Sequence, residues 1–275
     1  MQSTAPSAGD AAVTTTIDDN VAIVTLNRPD VRNAIDDATR TTLIDTIEGL
    51  GADEDIRAVI LTGAGTAFCA GGDIRGMRQR LDAPIGRVGY NGWKRQKSTH
   101  RAINALHNLD KPTIAAVNGA ASGLGCDLAF ACDFVMASNA ASFTMAYLKR
   151  GLIPDGGGLY FLPRRVGLAR AKELIYSARK VGANEALAIG LADRLAESED
   201  LLGEAKAWAA ELSVGSPIAL SLAKSILNRS LDLPVEQVFA LGGEAQSICY
   251  TTDEHRDSIQ QFLDKGSKAK KGEQS

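Results

Sequence analysis

The order in which apolar and polar positions alternate along the chain predicts its architecture. Residues 13–26, VTTTIDDNVAIVTL, are rich in β-branched side chains, and Asp18-Asp19-Asn20 interrupts them. They predict two strands joined by a turn. Asp36 or Asp37 can then cap a helix on which Leu43, Ile44, Ile47 and Leu50 recur at helical spacing. RAVILT at 57–62 and TIAAVNG at 113–119 are short, continuously apolar runs, the pattern of strands buried on both faces. GAGTAFCAGGDI at 63–74 leads into a helix, and residues 91–109 predict another, ended by Lys111-Pro112. AASGLG reads as a glycine-rich loop, CDLAFAC (126–132) as a helix, and DFVMAS and SFTMA as two short strands. Beyond residue 165, Ala, Leu, Lys and Glu dominate, and 200–264 predicts consecutive helices.

The pattern gives an α/β class, with strand–loop–helix repeated over two-thirds of the chain and a helical last third. Such an appendage is a candidate oligomerisation element. The expected organisation is a flexible tail at 1–11, a core at 12–199, a helical region at 200–265 and a second tail at 266–275. The final KGSKAKKGEQS is read as a solvated basic end.

Composition narrows the function. The 275 residues carry 33 acidic and 30 basic side chains, a formal charge of −3, with 45% hydrophobic residues. A chain this apolar and this weakly charged is not disordered. It lacks the basic excess of an electrostatic nucleic-acid binder. No apolar run approaches the roughly 18 residues of a membrane helix. MQSTAPSAGDAA has neither the basic nor the apolar region of a signal peptide, and the four cysteines show no CxxC spacing. The expectation is a cytoplasmic protein with reduced thiols, binding neither membrane nor nucleic acid.

Several chemistries are disfavoured by absence. There is no GxxxxGK[ST], no complete GxGxxG after a strand and no GxSxG. The three histidines, His100, His107 and His255, fit no metal motif and no hydrolytic triad. What stands out is glycine. Twelve of 27 glycines fall in three windows, 63–76, 119–125 and 151–158, each at a strand exit or helix entry. Glycines there permit tight turns. They also let two backbone N–H groups converge on one oxygen, as in an oxyanion hole, where one donor is worth about 10²–10³ in rate. Spacing leaves both readings open.

The segments NRPDVRNAID, AFCAGGDI, KPTIAAVNGAASGLGCDLAFACD and GLIPDGGG together resemble the crotonase family, the enoyl-CoA hydratase/isomerase group. The likeness runs from IDDNVAIVTLNRP to the final FLDK. It implies a spiral of ββα units with a C-terminal helical trimerisation region, in a homotrimer or dimer of trimers. It also implies an acyl-CoA substrate, with coenzyme A part of that substrate and no separate cofactor or metal. Carried over by motif, the oxyanion donors are the N–H groups of Gly72 and Leu124, the latter standing where the family often has glycine. Coenzyme A contacts carry over to Arg32, Asn33 and Ala34, and to Ala70, Gly72, Asp73 and Ile74. Phe262 and Lys265 match a C-terminal pair that reaches a neighbouring subunit's ligand; without the resemblance they read as a core aromatic and a surface charge.

The acid–base residues depart from the pattern. Of the two glutamates that the family's hydratases use, the first falls at Asp127, a carboxylate inside an otherwise apolar helix, and the second at Tyr147. With a pKa of about 10, tyrosine does not serve as a neutral-pH base. Asp155, in MAYLKRGLIPDGGG, matches an aspartate that is the base in ring-epoxide isomerases, and dienoyl-CoA isomerases carry Asp at the positions of both Asp127 and Asp155. The resemblance therefore implies a double-bond shift through Asp155, with Asp127 a second carboxylate or water-positioning group and Tyr147 a pocket wall. The alternative is an enoyl-CoA hydratase using Asp127 and Asp155. Aryl-CoA dehalogenation would need a His after the first glycine window, and IRGMRQRLDAP has none. A non-catalytic acyl-CoA or RNA-binding scaffold is a further alternative. Residues 77–100, with Tyr90 and Trp93, are expected to shape the acyl pocket.

Overall fold

A computed structural model describes residues 11–272, with backbone alone for 77, 79–81 and 265–272. The chain opens with an antiparallel hairpin, β1 (Val13–Asp18) and β2 (Val21–Leu26), turned at Asp19 in the left-handed region. Helix α1 (Asp37–Ala52) follows, capped by Asp36, whose side chain accepts the Thr39 N–H at 2.8 Å. Strands then alternate between two sheets. β3 (Ala58–Gly63) enters a six-stranded sheet and β4 (Ala67–Cys69) a four-stranded one. Helices α2 (Ile74–Leu81) and α3 (Ile85–His107) complete that unit.

The same step repeats with β5 (Thr113–Val117), β6 (Ala120–Ser122) and α4 (Leu124–Ala131). It repeats again with β7 (Phe134–Ser138), β8 (Ser142–Thr144), α5 (Gly158–Val166) and α6 (Leu168–Ser177). β9 (Val181–Gly182), α7 (Ala183–Ala188), β10 (Arg194–Ala196) and α8 (Leu201–Leu212) close the sheets and the first unit. The large sheet runs β1-β2-β3-β5-β7-β10 and the small one β4-β6-β8-β9. This is the expected α/β architecture of ββα steps. It contains strands that the sequence presents as loops, because β4 and β6 are three residues long and lie inside glycine-rich segments.

The continuous apolar runs have a direct cause. In β3, Val59 and Leu61 face the main core, whereas Ala58 and Ile60 face the opposite side. β5 divides likewise, Ala115 and Val117 against Ile114 and Ala116. Both faces are therefore covered, and no polar alternation survives. The cover on the second face is α8, through Leu201, Ala205, Trp208 and Ala209. The chain divides after Leu212, because α8 packs on the sheet and belongs to the first unit.

The second unit holds α9 (Pro217–Ser230), α10 (Val235–Cys249) and α11 (Asp253–Gly272), with α9 against α10. Helix α11 extends over 266–272. Lys and Ala in that run are good helix formers, and α11 continues through them. Residues 1–10 of the expected N-terminal tail, and 273–275, lie outside the described residues. No helix among the described residues is long and apolar enough to cross a membrane.

Candidate active site

The first two glycine windows meet at one point. Ile35 bonds across to residues 71–73, its N–H donating to the Gly71 C=O (2.8 Å) and its C=O accepting the Asp73 N–H (2.9 Å). Those two groups flank Gly72, so the N–H of Gly72 itself points away from Ile35. Gly71 has φ +92°, and a Cβ there would lie 2.6 Å from the Ser122 carbonyl and 3.4 Å from the Leu124 nitrogen. The chain thus needs glycine at 71 to bring Gly72 against the start of α4. Leu124 is the first residue of that helix, where N–H groups have no intrahelical acceptor. Gly72 and Leu124 line one cavity of about 360 Å³, together with Ala34, Ala70, Asp73 and Ile74.

The third window supplies the carboxylate. Asp155 lines the same cavity and is half-buried. Burial pushes its pKa up; the charges of Arg95 and His100 pull against that shift. Helix α3 holds this residue from one face. Gln96 donates its amide to the Asp155 carboxylate, and His100, one turn later, hydrogen-bonds the Asp155 carbonyl at 3.0 Å. Gln96 also lines the cavity. Nothing in the sequence singles it out, since it sits 59 positions from its partner; the available signal was a polar residue on the face that carries buried Thr99 and Ile103.

Asp127 lies apart from the cavity lining and has no exposed surface. The Tyr147 hydroxyl donates to its Oδ2, the backbone amides of Gly156 and Gly158 lie close enough to favour its anion, and its Oδ1 is buried without a hydrogen-bond partner. A Cβ at Gly156 would come within 2.5 Å of Oδ2 and one at Gly158 within 2.6 Å of Oδ1, so two of the three consecutive glycines exist to let the loop close over this carboxylate. Burial, opposed first by the Tyr147 hydrogen bond, raises Asp127 to about 7. Burial beside Asp127 also raises Tyr147, which keeps its proton. Tyr147 is thus both a cavity wall and a lid over Asp127.

The remaining expected residues divide by role. Asp73 is buried and ion-paired with Arg28 (3.3 Å) and Arg75 (3.2 Å), and the Arg75 hydrogen bonds lower its pKa despite burial. Asn33 is buried. Its amide donates to the Ala64 and Ala67 carbonyls at 2.9 and 2.7 Å, and its oxygen accepts the Arg28 N–H at 2.9 Å. Arg32 accepts the Ala70 N–H at 2.9 Å through its carbonyl. Arg32 and Asn33 are therefore absent from the cavity lining, and both adopt left-handed backbone that presents Ala34 instead. Tyr90 and Trp93 stack on one another, more than half exposed, and neither lines the cavity; Arg95, Gln96 and Thr99 do so from the same helix. Phe262 is 76% exposed in the second unit, and the Lys265 side chain lies outside the described residues. No His, Cys, Asp and Glu cluster fit for a metal occurs among the described residues.

Known proteins share this sequence pattern and fold. Residues 16–272 match the family described as Enoyl-CoA hydratase/isomerase. A short-chain-enoyl-CoA hydratase from Clostridium acetobutylicum is 36% identical over 89% of this chain and 92% of its own. A 1,2-epoxyphenylacetyl-CoA isomerase from Escherichia coli is 33% identical over 91% of this chain and 95% of its own. The crystal structure of an enoyl-CoA hydratase/isomerase from Cupriavidus metallidurans superposes with a TM-score of 0.85 at 39% identity, covering 92% of this chain and 94% of that one. On sequence and fold together, the chain belongs to the enoyl-CoA hydratase/isomerase family.

Proposed function

We propose that the protein shifts a double bond in an acyl-CoA thioester by proton transfer through Asp155. One observation carries this reading. Two carboxylates line the cavity, Asp73 and Asp155, and Asp73 is committed to Arg28 and Arg75. Asp155 is left to act on a substrate. With the thioester oxygen between the N–H groups of Gly72 and Leu124, Asp155 takes a proton from carbon. The C–H electron pair moves toward the carbonyl as an enolate, which the two donors stabilise. The same carboxyl returns the proton further along the chain, and the double bond has moved. A half-buried carboxylate of raised pKa suits both halves of that cycle.

Asp127 has a supporting part in this reading. Enclosed by Tyr147, Gly156 and Gly158, it braces the loop that carries Asp155 and does not meet substrate. Coenzyme A arrives as part of the substrate, over Ala34, Ala70 and Ile74. The exposed apolar side chains of the second unit, among them Leu231, Phe239 and Phe262, suit burial between copies in a trimer or dimer of trimers.

The likeness to a short-chain-enoyl-CoA hydratase favours a second reading, hydration of a 2-enoyl-CoA with Asp127 and Asp155 as the carboxylates. Incubation of 2-enoyl- and 3-enoyl-CoA in D₂O separates the two. Isomerisation moves the double bond with deuterium exchange; hydration yields a 3-hydroxyacyl product. Asp155→Asn should lower kcat by about 10²–10⁴ while leaving thioester binding measurable. Full isomerase activity in that variant would sink the assignment.

A further inference from the structure

Beside the cavity, and sharing Gly72, Asp73, Arg75 and Arg95 with it, lies a second cleft of about 610 Å³. Four arginines and three aspartates line it. Three of the arginines are neutralised in place. Arg28 pairs with Asp36 (3.0 Å) and Asp73, Arg40 with Asp37, and Arg75 with Asp73. Arg95 differs. No carboxylate among the described residues forms an ion pair with it, and its Nε is buried with no hydrogen-bond partner. Its charge reaches Asp155 on one side and Arg40 on the other. Arg95 thus stands where the two spaces join, on a stripe of α3 with Val88 and Asn91, which face the second cleft.

A buried guanidinium N–H without a hydrogen-bond partner is costly unless a ligand supplies one. Its planar fork matches an anionic oxygen group, carboxylate or phosphate. Since it adjoins Asp155, the group it meets lies on the acyl side of the reacting carbons. We infer that Arg95 is a specificity residue for acyl groups carrying a carboxylate beyond the double bond, seated in the second cleft. This rests on the acyl-CoA reading above. The other source of an anionic group is the phosphates of coenzyme A itself.

The test compares two enoyl-CoA substrates of equal chain length, one ending in a carboxylate and one in a methyl group, with wild type, Arg95→Met and Arg95→Lys. Both variants also remove or blur the charge near Asp155, which affects both substrates alike, so the readout is the ratio of their kcat/KM values. Arg95→Met should lower that ratio about 10- to 100-fold, the worth of one charge-assisted contact, and Arg95→Lys less, because the point charge remains without the fork. The same acyl groups on pantetheine, which lacks the nucleotide phosphates, should show the same loss. An unchanged ratio overturns the inference while leaving the acyl-CoA reading intact. Equal losses on both CoA substrates that vanish on pantetheine thioesters also overturn it, assigning Arg95 to the phosphates. No turnover of either substrate by the wild type would remove the acyl-CoA reading itself.

Discussion

Asp155 and Asp127 are both aspartates in glycine-bounded sequence, yet their surroundings differ: one lines the cavity and the other is fully buried. Asp155 opens on the cavity, and burial raises its pKa against Arg95 and His100. A base acts in its anionic form, so kcat/KM should rise with pH through this group. Because the pKa is raised, the acid limb of the pH–rate profile should fall above the ordinary carboxylate range of about 4. Substitution of Gln96 by Leu removes a donor to the anion and should move that limb higher still. A limb that stays in place in Gln96→Leu would remove Gln96 from the list of groups that tune Asp155. The third glycine window marks this loop in the sequence, and the resemblance to the family singles out Asp155 within it. Its amide partner is not legible there, because the bond joins residues 59 apart.

The loop from 151 to α5 is built around one contact. Gly158 opens α5, and a Cβ there would lie 2.5 Å from the Met145 Cε and 2.6 Å from Asp127 Oδ1. Gly158→Ala should therefore force the loop off Asp127. Overpacking of this kind costs about 1–3 kcal/mol, measurable as a lower denaturant midpoint. Since Asp155 rides on the same loop, kcat should fall with it. A variant of wild-type stability and rate would show that the loop relaxes freely and that Asp127 does not brace it. In the sequence the three glycines read equally as ordinary turn chemistry. The close approach that demands them comes from α4, some thirty residues earlier, and no local pattern records it.

The first unit is built on a six-stranded sheet whose central strands are covered on both faces, and α8 supplies one cover. Trp208 is buried there, its ring centroid 4.9 Å from that of Phe134, with the Arg194 guanidinium 4.0 Å from the centroid of the Trp208 ring. Trp208→Ala should destabilise the unit by about 3–5 kcal/mol, read by thermal or denaturant unfolding. Sites on the other face should keep their geometry, so kcat at low temperature should change little. A large loss of kcat in the folded variant would mean that the second face communicates with the cavity.

Several features could be read before any coordinates: the strand runs, a helix cap at Asp36 or Asp37, and the glycine windows. They are local, set by the two- and 3.6-residue backbone periods and by the missing Cβ of glycine, and so they leave a trace in neighbouring residues. The three-residue strands of the small sheet are too short to show a period. The enclosure of Asp127, the buried Arg95 Nε without a hydrogen-bond partner and the membership of α8 in the first unit depend on which distant residues the fold brings together. Burial and pairing are properties of that encounter, and the same side chain can brace a loop or face a substrate according to its neighbours.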